Sequence, residues 1–175
     1  MKRTTVSLAI VLTALAGPAL AAMTLSSPDI APNGPIGQPH IYTRCGGQNL
    51  SPQLAWSGAP AGTRSLVLTM IDLDVKPALW SHWIVVDLPP TVSGLPRAVK
   101  PLPSAARAVT NNFGEAAYDG PCPPKGSGVH HYRFTIWAMP IPTTTIAPNA
   151  KANAVAASLA KRALGSASFE GEVKG

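Results

Sequence analysis

The chain has 175 residues, 13% of them charged, and a formal net charge of +6 at neutral pH. Its basic residues are scattered without a run or an aromatic-interleaved basic stripe, which excludes the pattern of nucleic-acid binders. What remains is a mild positive field that favours anionic partners or surfaces.

Met1-Lys2-Arg3, the apolar run from Val6 to Leu15 and Ala19-Leu20-Ala21 form the three parts of a secretory signal peptide over residues 1–21. The apolar run is shorter than the about 20 residues a membrane-spanning helix needs. The expected mature chain is therefore a single exported domain, residues 22–175. Nineteen prolines and 15 glycines punctuate the full sequence into short segments. That punctuation predicts an all-β fold, predominantly antiparallel and sandwich-like, with long proline-rich loops. Met23 to Ile30 alternates weakly and reads as a flanking strand. Ser65 to Asp72 and Trp83 to Leu88 are almost wholly apolar, and Tyr132 to Met139 is rich in aromatic and β-branched residues; these three are the expected central strands. Thr91 to Gly128 reads as one long ordered loop. A single short helix follows near the C-terminus. Asn149 is placed to cap it, Val155, Leu159 and Ala163 fall on one face, Lys161 and Arg162 occupy its last turn, and Gly165 suits a left-handed stop. Ser168 to Lys174 is a second flanking strand.

Strand alternation then groups side chains by face. Leu66, Leu68, Met70 and Asp72 share one face of the first central strand. His82, Ile84, Val86 and Leu88 share one face of the second, and His130, Tyr132, Phe134 and Ile136 one face of the third. If the first two pair as antiparallel neighbours, the end of one meets the start of the other. A third strand running parallel to the second brings His130 to the same edge. Asp72, His82, His130 and Tyr132 would then line one mouth, with Gly120-Pro121-Cys122-Pro123-Pro124 as a stiff rim poor in backbone donors. His131 points to the opposite face. Asp72 and Asp74 also suit capping of the turn before Pro77, Asp74 the more so of the two.

The segments Asn49-Leu50-Ser51-Pro52-Gln53-Leu54-Ala55-Trp56, Asp72-Leu73-Asp74, Trp80-Ser81-His82-Trp83, Gly120 to Pro124 and His130-His131-Tyr132-Arg133-Phe134 carry a resemblance in order and spacing. Together they resemble the phosphatidylethanolamine-binding protein family, in particular its bacterial, Raf-kinase-inhibitor-like branch. One departure is local: Leu73 stands where that family has proline, and Pro77 falls one place late. The resemblance implies a pocket for phosphate-like or phospholipid-headgroup anions and, in some members, binding to other proteins. It adds Trp80 as a pocket-lining aromatic. The resulting ligand-binding set is Asp72, Asp74, Trp80, His82, Gly120, Pro121, His130 and Tyr132. Cys45 and Cys122 each sit beside a motif segment of an exported chain, which suits a disulfide, the alternative being two separate buried thiols.

The imidazoles of His82 and His130 can donate to an anion and gain charge near neutral pH. A carboxylate beside that anion suits a headgroup that also carries an ammonium group, with Asp72 facing the amine. The expectation is a periplasmic or secreted binding module for a small anion. It needs no cofactor or metal, catalyses no reaction and takes no nucleic acid, and peripheral contact with a membrane surface is compatible with its charge. Two other readings compete. One is an interaction or inhibitor module acting through its surface. The other is a metal-assisted hydrolase built on His82, His130 and Asp72, which finds no H-E-x-x-H spacing or G-x-S-x-G elbow in the sequence.

Overall fold

The structure is a computed structural model that describes residues 22–147 and 150–175. The signal-peptide reading and the Asn149 cap lie outside the described residues. Among the described residues nine strands and one α-helix follow in the order β1 (Thr24–Ser26), β2 (Gly34–Pro35), β3 (Leu54–Ser57), β4 (Ser65–Asp72), β5 (Trp80–Leu88), β6 (Gly94–Leu95), β7 (Arg107–Ala108), β8 (Val129–Met139), α1 (Ala152–Arg162) and β9 (Gly165–Lys174). They form a six-stranded sheet, β2-β9-β8-β4-β5-β7, and a three-stranded sheet, β1-β3-β6. Every pairing is antiparallel except the short β2–β9 edge. The three expected central strands are β4, β5 and β8, side by side in the larger sheet. Between Thr91 and Gly128 only the two-residue strands β6 and β7 interrupt the expected loop.

Two apolar layers follow from strand alternation. On one face of the large sheet Leu66, Leu68, Met70, Phe134 and Ile136 pack against Leu54 and Trp56 of β3 and Leu95 of β6, filling the space between the sheets. On the other face Val67, Ile84 and Val86 meet Val155 and Leu159 of α1. Because β4 is buried on both faces along its whole length, its sequence reads as a continuous apolar run.

The helix ends differently from the sequence expectation. Ala163 leaves α1 in an extended conformation (φ −70°, ψ 143°), and Gly165 is the first residue of β9 instead of a left-handed stop. The N–H of Leu164 donates to the carbonyl of Ala138, so pairing with β8 begins where a left-handed residue would have stood. At the N-cap stands Lys151, without a side-chain hydrogen bond to the first turn.

Cys45 and Cys122 are joined in a disulfide across 77 positions, with Cα atoms 5.6 Å apart. It ties the short helical turn Thr43–Cys45 to the proline-rich rim. Two stability predictions follow from this packing. Leu68 is fully buried, so Leu68→Ala should cost about 2–5 kcal/mol in urea denaturation. Replacing both cysteines by alanine removes closure of a long loop and should cost about 4 kcal/mol by the same measurement.

Candidate ligand pocket

β8 pairs with β4 in unbroken register, setting Tyr132 opposite Asp72 and Phe134 opposite Met70. On the other side of β4 the register with β5 slips: Met70 faces Trp83, but Ile71 faces Ser81. His82 is the extra residue of a β-bulge, and a bulge re-aims side chains. Strict alternation groups His82 with Ile84 and Val86, yet those two lie in the helix-side core. His82 instead meets the Tyr132 ring edge-on, with centroids 5.1 Å apart, on the inter-sheet face. A second slip, between Leu68 and Leu66, returns Leu88 to that face as well, with Asp87 at φ 61° beside it. The expected face of β5 is therefore split by two irregularities. The strand directions match expectation, since β5 and β8 both run antiparallel to β4 and flank it. Asp72, His82 and His130 consequently gather at one end of the sheet.

Hydrogen bonds fix the roles of the two imidazoles. His82 Nδ1 lies 2.7 Å from the carbonyl oxygen of Asp119, which can only accept, so Nδ1 carries a proton. Burial pushes the His82 pKa below its ordinary value against the opposing pull of that carbonyl, the Asp72 carboxylate, the Gly120 backbone and the Asp119 carboxylate. The ring is therefore neutral near pH 7, with Nε2 as an acceptor. The sequence expectation that His82 donates to an anion is corrected by this geometry.

His130 Nδ1 lies 2.7 Å from Asp72 Oδ2, and Nε2 lies 3.0 Å from Ser127 Oγ. Ser127 donates its one proton to the Pro124 carbonyl at 2.7 Å, leaving its oxygen to accept from Nε2. His130 is thus held at both nitrogens, by Asp72 and by Ser127. Asp72 Oδ1 also accepts the Asp74 N–H at 2.9 Å, so each carboxylate oxygen is already engaged. The Tyr132 hydroxyl is buried without a hydrogen-bond partner. Burial, and then the nearby Asp72 carboxylate, push its pKa upward, although the two make no well-formed hydrogen bond. Its O–H is sealed from solvent beside that carboxylate.

Asp72, Trp80, His82, His130 and Tyr132 line one cavity of about 220 Å³, together with Val75, Phe113 and the Cys122-Pro123-Pro124 rim. Phe113 packs 5.1 Å from the His82 ring and 5.7 Å from Trp80. Sequence reasoning missed it because it stands in a loop without periodicity. Its one signal is that it is a large apolar residue amid Asn111-Asn112 and Gly114-Glu115.

Three expected ligand residues lie elsewhere. Asp74 accepts the backbone N–H of His131 at 2.7 Å and its Nδ1–H at 2.9 Å, on the opposite face of the sheet. Burial opposes ionisation of Asp74, but those bonds outweigh it and lower its pKa, while the Asp74 contact raises that of His131. Gly120 donates its N–H to Asn49 Oδ1 at 2.7 Å, and a Cβ there would lie 2.1 Å from the His40 carbonyl oxygen. Gly120 thus permits a close chain crossing, and it acts on the cavity through its backbone beside the His82 ring. Pro121 lines a separate cavity with Ile36 and Ile41, and its carbonyl accepts the Tyr42 N–H.

A supporting layer holds the His82 side. Asn111 Nδ2 donates to Asp119 Oδ2 at 2.7 Å and to the His82 carbonyl at 3.1 Å. Asn49, in the left-handed region at φ 55°, reaches Asp119 Oδ1 at 3.3 Å with the amide that also holds Gly120. The turn at Asn49 to Pro52 therefore supports the pocket from behind.

This arrangement has counterparts. The family model for phosphatidylethanolamine-binding protein matches residues 26–174. Among curated proteins, UPF0098 protein YbcL of Escherichia coli (strain K12) is 40% identical over 127 residues, 68% of this chain and 69% of that protein. LppC of Mycobacterium tuberculosis (strain ATCC 25618 / H37Rv), whose name includes the word lipoprotein, is 36% identical over 158 residues, 90% of this chain and 75% of its own. The crystal structure of E. coli YbcL, described as a new member of the mammalian PEBP family, superposes with a TM-score of 0.80 at 33% identity, covering 87% of this chain and 98% of that one. With the family match spanning both sheets and the cavity between β4, β5 and β8, the chain belongs to the phosphatidylethanolamine-binding protein family.

Proposed function

We propose that this protein is an exported, non-catalytic binding module whose Asp72–His82–His130–Tyr132 cavity takes a small phosphate-type or phospholipid-headgroup-type anion. The observation that carries this reading is the convergence, in one cavity of about 220 Å³, of a buried hydroxyl donor without a partner and two imidazoles held by their own hydrogen bonds. Buried polar groups in folded proteins are nearly always paired. The Tyr132 hydroxyl, sealed beside Asp72, adds a polar group behind the cavity wall. The donor set suits binding better than metal-assisted hydrolysis: both nitrogens of His130 and one of His82 are already engaged by protein atoms. Export is supported by the leader-like residues 1–21, the Cys45–Cys122 disulfide and a relative with a lipoprotein name.

Calorimetric titration with inorganic phosphate, O-phosphoethanolamine and glycerophosphoethanolamine tests the pocket. At least one should bind. His130→Ala should weaken that binding roughly tenfold or more, because the buried Asp72 carboxylate loses its imidazole partner at the cavity wall, and His131→Ala should leave it within about twofold, since His131 points away. Binding of none of the three, or equal damage from His131→Ala, would contradict the assignment.

Imidazole-nitrogen NMR checks the protonation states. His82 should be the Nδ1–H tautomer at pH 7 and stay neutral as pH falls below 6.5, while His131 should stay charged above it. The stability signs are opposite. The depressed His82 value gives a contribution complete above 6.5 and lost as pH falls towards the folded pKa. The raised His131 value gives one complete below 6.5 and lost as pH rises through the folded pKa. The His131 contribution is the smaller, because that side chain is 40% exposed and screened by solvent.

A further inference from the structure

A second cavity, of about 470 Å³, shares no lining residue with the one between β4, β5 and β8. The loop of residues 111–119 separates them: Phe113 lines the first and residues 115–119 line the second. Apolar walls from Trp83, Val99 and Leu102 beside a few polar groups, in a space of this size, have the make-up of a small-molecule site. Its charged residues are Asp119, Glu115 and Lys100, two carboxylates against one ammonium, so the wall carries a net charge of −1 (1 − 2). Glu115 and Lys100 are exposed, whereas Asp119 is only 4% exposed.

Asp119 lacks a counter-charge. Its Oδ2 accepts from Asn111 Nδ2 at 2.7 Å and its Oδ1 from Asn49 Nδ2 at 3.3 Å, both neutral amides. Among the described residues no lysine, arginine or histidine forms an ion pair with it, and His82 bonds its backbone carbonyl, not its carboxylate. Buried carboxylates are rarely left without a cation, and two amide N–H groups fill about half of this one's acceptor capacity. The cavity wall is also held in costly backbone conformations. Asn49 (φ 55°) and Ala98 (φ 54°) both line it in the left-handed region. Ser51 fixes the second of these, its carbonyl accepting the Ala98 N–H at 2.9 Å and its hydroxyl oxygen the Val99 N–H at 3.2 Å. Non-glycine residues held in this way cluster at ligand clamps.

We propose that this second cavity binds a small organic monoammonium ion, its N–H groups on the Asp119 carboxylate and its apolar body against Trp83, Val99 and Leu102. The apolar walls suit an organic cation better than a hydrated metal ion, which keeps oxygen ligands around it. The site stands independently of the ligand of the first cavity.

Calorimetry at low ionic strength and neutral pH with 2-phenylethylamine, 2-phenylethanol and 3-phenylpropionate, similar in shape but cationic, neutral and anionic, tests the site. The amine should bind roughly tenfold or more tightly than the alcohol, as a charged hydrogen-bonded pair requires, and the carboxylate no better than the alcohol. Lys100→Glu removes the competing cation from an exposed position and should tighten amine binding roughly two- to fivefold, while Glu115→Gln should weaken it by a similar factor. Asp119→Asn should reduce the amine to the affinity of the alcohol. Should that variant fail to fold, the two exposed variants decide. Backbone amide shifts on adding the amine should centre on Val99, Leu102 and Ala117. Equal binding of amine and alcohol, no tightening in Lys100→Glu, or shifts centred on Val75 and Ser127 at the first cavity would overturn the proposal. So would absence of binding by the amine, which would leave Lys100 as the carboxylate's own counter-ion in solution.

Discussion

β4 aligns with β8 residue by residue, so Asp72 and Tyr132 reach the same end of the sheet by pairing alone. β5 cannot deliver His82 to them in that way. A regular ladder would turn its ring towards α1, among Ile84 and Val86, where a neutral imidazole would have no polar partner. The inserted residue reverses its direction, and the Nδ1–H bond to Asp119 holds the reversed ring in place. The pocket's acceptor, its aromatic wall with Phe113 and the position of the Asp119 loop all depend on that one bulge and its anchoring bond.

The remainder of the site shows the same division between strands that place side chains and loops that fix their protons. Ser127, three residues before His130, is held by the Pro124 carbonyl and thereby made an acceptor for Nε2. Asn49 and Asn111 clamp Asp119 from both sides, so the carbonyl that orients His82 belongs to a segment with little freedom. Prolines at the rim have fixed φ and no N–H, which keeps competing backbone donors away from the cavity. Donor capacity there is concentrated in side chains.

Fold and site were unequally legible in the sequence. The central strands could be read because burial on both faces of β4, and on most of β5 and β8, leaves unbroken apolar runs. The third-strand face was legible for the same reason that β8 is regular: His130, Tyr132, Phe134 and Ile136 keep one phase over three periods of the pleat and His131 takes the other. The bulges in β5 were not legible, since nothing in Ser81-His82-Trp83 distinguishes an inserted residue from a paired one. Asp74 and Asp72 look alike in sequence, and only the path of the chain after Leu73, whose N–H bonds the His131 carbonyl, sends one carboxylate into the cavity and the other away. Gly120 and Pro121 were read as rim, but the glycine is required by its approach to the His40 carbonyl, a contact between segments 80 positions apart.

The altered loop after Asp72 bears directly on what the cavity can hold. With Leu73 in place of proline, the chain keeps an N–H at that position and spends it on β8, drawing the loop onto the edge of the sheet. The following Asp74 N–H then folds back onto Asp72 Oδ1, and Val75 is the residue that closes this side of the cavity. A carboxylate with one oxygen bound to a backbone N–H and the other to an imidazole has its charge largely compensated from within the protein. Its field at the cavity is weaker than that of a free carboxylate, which lowers the repulsion a bound anion would meet. It is also less able to attract a cationic headgroup. On the proposed reading of the cavity as an anion pocket, this loop would weaken its hold on an amine relative to that on the anion.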